Sequence, residues 1–500
     1  MRRITILTLI FCACLALPSW SQAQTQPKYH QYTLYDLGTL GGPNSSTSYF
    51  ALSLASKGAI GGTQTATADP FSPNCLGNDY FPGCYVMHAF LWNRGVRTDL
   101  GSLPGNGGNN SSFATAINNE SLVAGYAENG DVDPDTGYPE AHAVIWEKDK
   151  IKDLGTFGGT QSAAMALNDI GQAVGGALNT TEDPLSADFV TGFGLLGFTG
   201  TTQLRAFVWQ NGVMRDLGTL GGPDAFAYAI NQSGQIAGQS YTSYTVNETT
   251  GIPTVDPFLW INGKMIDLGT LGGTIGFSVW LNDWGQVVGA SNLAGDEFYH
   301  GFLWDRGVLE DLPPASGGDY SLAAWINELG DVIGWSTLPG DVLDHASLWS
   351  LGKPADLGTV GQDLCSEAWG INDLRQIVGL STSSCSSEQA GRAFLWQQGG
   401  PMVDLNALVE NPSDLHLYLA SYINDSGEIV AQGILPDGDI HTALLVPSGD
   451  CEQACQQRIV KAQNTLLSPA KAASTIPALS GPQDQLRNPL GRGRALQGQR

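Results

Sequence analysis

The sequence predicts an all-β protein, an eight-bladed β-propeller whose blades are four-stranded antiparallel sheets. Three observations predict this fold: the composition, a repeated set of three motifs, and chain ends that complement each other. Of the 500 residues, 64 are glycine and only 14% are charged, a balance that argues against a helical or coiled-coil protein. Hydrophobic residues make up 42% of the chain, which excludes a wholly disordered polypeptide.

The three motifs recur in a fixed order along the chain. The first is Asp-Leu, usually followed by Gly, and it begins at Asp36, Asp99, Asp153, Asp216, Asp267, Asp311, Asp356 and Asp404. The second has the form Ala-Tyr-Ala-Ile-Asn-Gln-Ser-Gly-Gln-Ile-Ala-Gly, and its asparagine stands at Asn118, Asn168, Asn231, Asn282, Asn327, Asn372 and Asn424, with Ala55 in the first copy. The third is His-Ala-Phe-Leu-Trp at His88–Trp92, which recurs until a weak eighth copy that begins at His441.

Each motif is typical of a short strand, because it is apolar, aromatic and bounded by turn residues. The Asn-x-x-Gly between two such strands predicts a tight hairpin, since glycine accepts a positive φ and asparagine can bond the turn backbone. One unit therefore holds four strands, A to D. In this unit we expect the repeated Trp to pack between neighbouring blades and the repeated Asp to accept hydrogen bonds from loop backbone.

A four-stranded unit cannot bury its own apolar faces, and four antiparallel strands per repeat is the period of a propeller blade. Tyr32–Gly38 is a D strand with no A to C strands before it, and His441–Pro447 is a C strand with no D strand after it. We expect the two to pair and to close the ring, which leaves no open edge. Eight A–B–C sets predict eight blades within residues 24–450; seven is the alternative, if one weak copy lies outside the ring.

These motifs resemble the HAF-repeat family of predicted extracellular bacterial proteins over roughly residues 32–447. The resemblance implies an exported repeat protein and implies no particular activity. This sequence departs from the pattern at Pro313, which follows Asp311-Leu312, and at Ala431, where a glycine is usual.

The N-terminus predicts export. Arg2 and Arg3 precede an apolar stretch at residues 4–17, and Ser21-Gln22-Ala23 offers small residues at cleavage spacing, so residues 1–23 read as a signal peptide. An anchored N-terminal helix is the alternative. No second apolar run of 18 residues follows, so we expect no membrane span and an extracellular or periplasmic protein.

Six cysteines lie beyond the signal, in three pairs of sequence neighbours. Export makes disulfides plausible, and local pairing is the simplest of the possible connectivities. A metal site is the competing interpretation, although none of these cysteines has a histidine at zinc spacing. The pairs are Cys75 with Cys84, Cys365 with Cys385, and Cys451 with Cys455.

The charge is strongly negative, −25 over the whole chain, which disfavours nucleic acid as a partner. It favours cations and basic surfaces instead. The segment 451–500 is the exception, and there we expect a short helix followed by a disordered basic tail. We expect the molecule to be a monomer.

Function is expected where the repeat varies. In a propeller the B–C and D–A loops share one face, and here that face carries every long insertion, whereas the A–B and C–D turns are tight. Exposed aromatic side chains on these loops would suit a protein or glycan ligand, unless the loops fold over one another and bury them. The candidate binding residues are Phe71, Tyr80, Phe81, Phe189, Phe193, Tyr241 and Tyr244.

One loop has metal-ligand spacing. Asp131, Asp133 and Asp135 stand at alternate positions, which brings carboxylates together in a turning loop, and calcium prefers such oxygen ligands. Gly137 is one place late for the EF-hand pattern, so a solvated acidic loop is the alternative. We otherwise expect no cofactor.

The sequence contains no nucleophile elbow, no His-Glu-x-x-His and no phosphate loop. It therefore predicts an exported, non-catalytic scaffold that binds a protein or glycan on the long-loop face. The alternative is a secreted hydrolase or lyase acting on polysaccharide, with carboxylates such as Asp183 and Asp188, or Glu297 and Asp319, at the channel mouth.

Overall fold

The computed structural model describes residues 29–47, 53–55, 58–76, 83–134, 136–148, 150–187, 189, 201–385, 391–411 and 413–465. These residues form an all-β structure of short strands, in eight antiparallel groups that we call sheets I to VIII in chain order. A parallel pairing of Val255 with Ile275 joins sheets IV and V into one eight-stranded sheet. The predicted all-β class and the four-stranded antiparallel unit are confirmed. The predicted signal peptide and most of the basic tail lie outside the described residues.

The first four sheets follow the predicted A–B–C–D order, and in sheet I both β2 and the short β3 pair with β4. Sheet I contains β2 (Gly41–Ser46), β3 (Leu54–Ala55), β4 (Gly58–Ala68), β5 (Tyr85–Asn93) and β6 (Val96–Gly101). Sheet II contains β7 (Ser112–Ile117), β8 (Val123–Val132), β9 (Pro139–Glu147) and β10 (Lys150–Gly155). Sheet III contains β11 (Gly158–Leu167), β12 (Ala173–Glu182), β13 (Thr202–Gln210) and β14 (Val213–Asp216), and sheet IV contains β15 (Ala225–Ile230), β16 (Ile236–Val246), β17 (Pro253–Ile261) and β18 (Lys264–Asp267).

The next three sheets repeat this order, and the last one takes its outer strand from the N-terminus. Sheet V contains β19 (Gly272–Leu281), β20 (Val287–Leu293), β21 (Tyr299–Asp305) and β22 (Val308–Leu312), and sheet VI contains β23 (Ser321–Ile326), β24 (Val332–Thr337), β25 (Asp344–Ser350) and β26 (Lys353–Asp356). Sheet VII contains β27 (Cys365–Ile371), β28 (Gln376–Thr382), β29 (Arg392–Gln397) and β30 (Val403–Asp404). Sheet VIII contains β31 (His416–Ile423), β32 (Ile429–Ile434), β33 (Ile440–Asp450) and β1 (His30–Asp36).

The N-terminal strand completes the last sheet, as the chain ends predicted. β1 runs antiparallel to β33, with Leu34 opposite Leu445 and Asp36 opposite Ala443. Tyr32 is fully buried in this pairing. β1 and β33, from opposite ends of the described chain, are therefore held in one sheet.

Burial falls from strand A to strand D in most of the sheets; in sheet VII both residues of the outer strand β30 are buried as well. Every residue of β7, β23 and β27 is buried, whereas β26 is exposed along its whole length. The repeated glycine of strand B follows from this crowding, because a Cβ on Gly175 would lie 1.9 Å from the carbonyl oxygen of Ala163 in the neighbouring strand A. The inner strands thus face a common centre.

Apolar clusters fill the space between consecutive sheets. In one cluster Ile145 and Leu154 of sheet II pack with Leu167 and Trp209 of sheet III. The repeated Trp is buried or half-buried in every described copy, which agrees with its predicted packing role.

Consecutive sheets are also joined by hydrogen bonds, including the eighth sheet to the first. The N–H of Ala143 in sheet II donates to Ser162 Oγ of sheet III at 2.8 Å, and the N–H of Ala346 in sheet VI donates to Ser366 Oγ of sheet VII at 2.9 Å. The N–H of Thr442 in sheet VIII donates in the same way to Ser45 Oγ of sheet I at 3.0 Å. Sheet VIII and sheet I are therefore in hydrogen-bond contact, as consecutive sheets are.

After sheet VIII the chain forms helix α1 (Gln453–Gln463), which packs on sheet VII through Cys455 and Ile459. The three predicted local disulfides are present, Cys75–Cys84, Cys365–Cys385 and Cys451–Cys455, with Cα–Cα distances of 5.8, 5.5 and 5.3 Å. No helix in the described part of the chain has the length and apolarity that a membrane span requires.

Candidate functional site

A cavity of about 570 Å³ lies where the ends of the eight inner strands meet. Its lining residues come from all eight sheets and lie at the A–B turn of each one. The tight-turn side of the ring thus holds the central opening. We call this side the turn face.

The asparagine of each A–B turn builds the wall of this cavity. In sheet V, Asn282 Oδ1 accepts the N–H groups of Trp284 at 3.2 Å and Gln286 at 3.0 Å, which caps its own turn as the sequence predicted. Its Nδ2 donates in addition to the backbone oxygen of Asn327 in sheet VI at 3.1 Å. Asn282 therefore holds its own turn and the next sheet at once.

Six such bonds run in one direction around the cavity and form what we call the asparagine ladder. The donor–acceptor pairs, from Nδ2 to backbone oxygen, are Asn118–Asn168, Asn168–Asn231, Asn231–Asn282, Asn282–Asn327, Asn327–Asn372 and Asn372–Asn424. Sheet I takes no part as a donor, because Ala55 replaces the asparagine there.

The residue after each asparagine forms a second ring, at the mouth of the cavity. Its side chain accepts the backbone N–H of the equivalent residue in the preceding sheet, as Glu328 does from Asp283 at 3.0 Å and Asp373 does from Glu328 at 2.9 Å. Six carboxylates line the cavity, and among the described lining residues there is no Lys, Arg or His: Asp169, Asp283, Glu328, Asp373, Asp425 and Glu428. Lys57, in the corresponding turn of sheet I, lies outside the described residues.

Burial and neighbouring negative charges raise the pKa of two carboxyl groups at this mouth, Glu328 and Asp373. Burial is the first cause for Glu328, the hydrogen bond from Asp283 opposes it, and the negative charges of Asp283, Asp373 and Asp425 raise the pKa further. Burial and the charges of Asp425 and Asp331 likewise raise the pKa of Asp373. These shifts indicate a negative potential that a positive ligand would relieve.

Aromatic rings line the cavity below the carboxylates. Trp280 and Trp325 stack with their ring centroids 3.9 Å apart, and Tyr422 meets Trp325 edge-on at 5.7 Å. A cation over such rings is attracted by their negative faces. The cavity thus combines carboxylates at its mouth with aromatic surface beneath.

A separate set of charge pairs runs along the outer strands and joins strand C to strand D. His142 Nδ1 lies 2.9 Å from Asp153 Oδ2, and Arg205 Nε lies 3.0 Å from Asp216 Oδ2. The same pair recurs as His88–Asp99, His300–Asp311, His345–Asp356 and His441–Asp36. The repeated Asp therefore binds the first residue of the third motif, and it also accepts a backbone N–H two residues on, as Asp153 does from Gly155 at 2.7 Å.

Sheet IV breaks this pattern, because Asp256 stands where the other sheets have His or Arg. Burial, together with the negative charge and the hydrogen bond of Asp267, raises the pKa of Asp256 to about 7. Asp256 is buried, and its Oδ1 has no hydrogen-bond partner among the described residues. The two carboxyl groups can coexist at low cost only while they share a proton.

The predicted loop aromatics are divided between core and surface. Phe189 and Tyr241 are fully buried and pack edge to face, with ring centroids 4.8 Å apart. Phe71 is half-buried, and Tyr244 keeps 59% of its surface exposed. Tyr80, Phe81 and Phe193 lie outside the described residues, so Tyr244 is the exposed described member of this set.

The acidic loop of sheet II ties strands together. Asp133 is buried; its Oδ1 accepts the N–H of Thr136 at 3.1 Å, and its Oδ2 accepts the hydroxyl of Thr160 in sheet III at 2.6 Å. Asp131 is exposed, and Asp135 lies outside the described residues. No dense cluster of potential metal ligands in the described chain includes Asp131 or Asp133, and calcium binding here stays a prediction.

Buried carboxyl groups hold other B–C loops in the same manner. Glu128 accepts the N–H of Ser111 at 2.7 Å, and Asp224 accepts the N–H of Leu204 at 2.7 Å. Burial raises the pKa of both to about 7, opposed by those hydrogen bonds. Because both side chains are fully buried, their visible role is to hold loops in place.

The pairs considered for polysaccharide cleavage are not brought together by these contacts. Asp183 is buried and accepts the N–H of Leu185 at 2.8 Å, whereas Asp188 lies outside the described side chains. Glu297 and Asp319 are both exposed, and Asp319 is anchored by its own N–H to Asp341 at 2.8 Å.

Sequence reasoning did not find the carboxylate ring or the charge pairs. A signal for both was present: the residue after the repeated Asn is acidic in five of the seven copies, and the His or Arg stands eleven residues before the repeated Asp in most copies. The equivalent turn residues lie 45 to 63 positions apart in sequence, and the motif pattern alone does not show that they meet at one cavity.

No protein-family model matches this sequence, and no curated protein matches it. Among solved structures, a puromycin-hydrolysing peptidase of Mycobacterium tuberculosis is similar with 12% identity and a TM-score of 0.40, over 82% of this chain and 62% of that one. TolB from Acinetobacter baumannii is similar with 13% identity and a TM-score of 0.30, over 59% and 61% of the two chains. The β-propeller domain of the Trilobed protease from Pyrococcus furiosus is similar with 8% identity and a TM-score of 0.39, over 73% and 98%.

This chain thus spans less than two thirds of the length of the peptidase and of TolB. All three TM-scores lie below 0.5. What the chain does has to be inferred from its own geometry.

Proposed function

We propose that this chain is an exported eight-bladed β-propeller that binds a positively charged protein segment over its central cavity, without chemical turnover. The eight sheets are the blades, β1 closes the ring, and the asparagine ladder fixes the central opening. Three disulfides support an oxidising compartment, as export would provide.

The observation that carries this proposal is the cavity mouth itself. Six carboxylates from five different A–B turns converge on one opening whose described lining contains no basic side chain. Carboxylates so placed attract lysine and arginine and speed their encounter with the site. A neutral glycan would gain nothing from this charge, so a basic protein segment is the favoured ligand.

The same carboxylates already have a structural task, which supports binding rather than chemistry. All of them except Glu428 accept a backbone N–H from the preceding turn, as Asp283 does from Gln232 and Asp425 does from Asp373, both at 2.9 Å. A ring built in this way is pre-organised and presents fixed charge to a ligand.

Calorimetry with an oligolysine peptide tests the proposal. The triple change Asp283→Asn, Glu328→Gln and Asp373→Asn keeps an acceptor oxygen for each backbone N–H and removes the charge. We expect it to weaken binding at least about tenfold, and we expect the affinity of the parent to fall as salt rises.

The matched control removes the same charge elsewhere, through Glu147→Gln, Glu248→Gln and Glu297→Gln, three exposed carboxylates outside the cavity. It should leave the affinity within about twofold, since distant surface charges are screened. Equal losses in both triple variants would mean that only the net charge matters, and the proposal would fail. Shortening of a polysaccharide by the purified protein would also contradict it.

A further inference from the structure

Four A–B turns carry a large apolar side chain at the corner, two residues after the asparagine, and all four are exposed. The exposed fractions are 62% for Ile170, 73% for Trp284, 56% for Leu329 and 66% for Leu374. Three of them belong to the consecutive sheets V, VI and VII. We call Trp284, Leu329 and Leu374 the apolar arc.

The fold does not require these side chains to be apolar. The same corner position holds Glu120 in sheet II, Ser233 in sheet IV and Ser426 in sheet VIII, in turns of the same kind. A corner side chain that points away from the core gains no burial by being apolar. Scattered exposed apolar residues are ordinary, but three at equivalent positions on neighbouring sheets form a patch.

The arc lies directly beside the carboxylate ring. Each arc residue follows a ring member in sequence, and the ring members Asp283, Glu328 and Asp373 are joined to one another by hydrogen bonds. Trp284 is fixed across the boundary between two sheets, because its Nε1 donates to the backbone oxygen of Glu328 at 3.0 Å. An exposed indole held by its polar edge is a pre-ordered contact of the type that anchors protein interfaces.

We propose that the apolar arc is a docking surface for a protein segment that carries leucine-like or aromatic side chains beside its lysine or arginine residues. This inference rests on the proposed function and names the partner more closely. The basic side chains meet Asp283, Glu328 and Asp373 at the mouth, while the apolar ones cover Trp284, Leu329 and Leu374. The carboxylates attract basic segments to this face of the molecule, and the apolar arc favours those basic segments that also carry apolar side chains.

Two synthetic peptides of equal length and equal charge test it by calorimetry, one of alternating Lys and Leu and one of alternating Lys and Ser. We expect the Lys–Leu peptide to bind at least about tenfold more tightly to the unaltered protein. The triple change Trp284→Ser, Leu329→Ser and Leu374→Ser should abolish that preference and leave the affinity for the Lys–Ser peptide within about twofold. Because all three side chains are exposed, these variants should fold, which the circular dichroism spectrum and the melting temperature check.

The control variant is Val342→Ser, an apolar side chain that is 78% exposed in the B–C loop of sheet VI and far from the A–B turns in that sheet. It should keep the full preference for the Lys–Leu peptide. If both peptides bind equally well and the carboxylate variant still weakens both, the arc is not a docking surface and the proposed function stands. If neither peptide responds to the carboxylate variant, the proposed function itself fails.

Discussion

At the scale of single residues, the residue at position 256 determines whether its pair with Asp267 stabilises or destabilises the sheet. His142, in the equivalent place, helps hold Asp153 ionised: burial opposes ionisation, but hydrogen bonds from His142 and Gly155 outweigh it and the pKa of Asp153 falls. Asp256 instead faces another carboxyl group, and its own pKa rises to about 7. One substitution within a repeat has thus reversed the sign of the interaction.

The reversed sign gives a measurable pH dependence. An acid whose pKa is raised by folding binds its proton more strongly in the folded state than in the unfolded state. The contribution of Asp256 to the free energy of unfolding is therefore full below its ordinary pKa near 4 and is lost as the pH rises to about 7. We expect Asp256→Asn, which removes the titrating charge and can donate to Asp267, to stabilise the protein by about 1 kcal/mol at pH 8. At pH 4 the two proteins should be equally stable.

Urea unfolding of parent and variant at both pH values checks this prediction. Taking the difference between the two proteins cancels the contributions of other buried acids such as Glu128 and Asp224. A constant difference across the range would show that Asp256 does not share a proton with Asp267.

At the scale of the structural element, one asparagine side chain in the A–B turn both caps its own turn and bonds the neighbouring sheet. Asn282 is buried and bonds both its own turn and the neighbouring sheet. We expect Asn282→Ala to lower the free energy of unfolding by about 2 kcal/mol, because it leaves buried N–H and carbonyl groups without partners. Ser233→Ala, at an exposed corner of the equivalent turn in sheet IV, should change stability by less than about 0.5 kcal/mol.

Chemical denaturation of the two variants provides the measurement. Equal and small effects would indicate that water replaces the bonds of Asn282 and that the ladder contributes little to stability.

Local pattern predicted these elements well, because each hairpin depends on neighbours in sequence. The Asn-x-x-Gly turn, the D-strand Asp and the buried Trp follow from short motifs whose role is the same in each copy. The donation from Asn282 to sheet VI could not be predicted, since the pattern fixes the turn and not the distance to the next sheet. The burial of Phe189 and Tyr241 could not be predicted either, because composition alone does not tell whether an aromatic side chain in a loop is buried or exposed to solvent.

At the scale of the whole molecule, β1 brings the N-terminal end of the described chain into the last sheet. It covers the edge of β33, and Tyr32 and Leu34 bury their side chains against the cluster beneath sheet VIII. An uncovered strand edge presents unpaired backbone groups that recruit other chains.

We therefore expect a chain that starts at residue 38, and so lacks β1, to lose its cooperative thermal transition or to aggregate. A chain that starts at residue 29 keeps β1 and should melt like the full-length protein. Size-exclusion chromatography with differential scanning calorimetry separates these results. A monomeric, cooperatively folded chain from residue 38 would show that β1 is dispensable.

The asparagine ladder also has a first and a last rung. The ladder begins at Asn118 and ends on the carbonyl of Asn424, so its hydrogen bonds join seven consecutive sheets. Sheet I, which has Ala55 in place of the asparagine, contributes no donor to it. Sheet I is also the neighbour of the sheet where both chain ends meet. If heat or mechanical force separates the sheets, we expect the contacts at the two borders of sheet I to break first. The other seven sheets should then stay connected to one another.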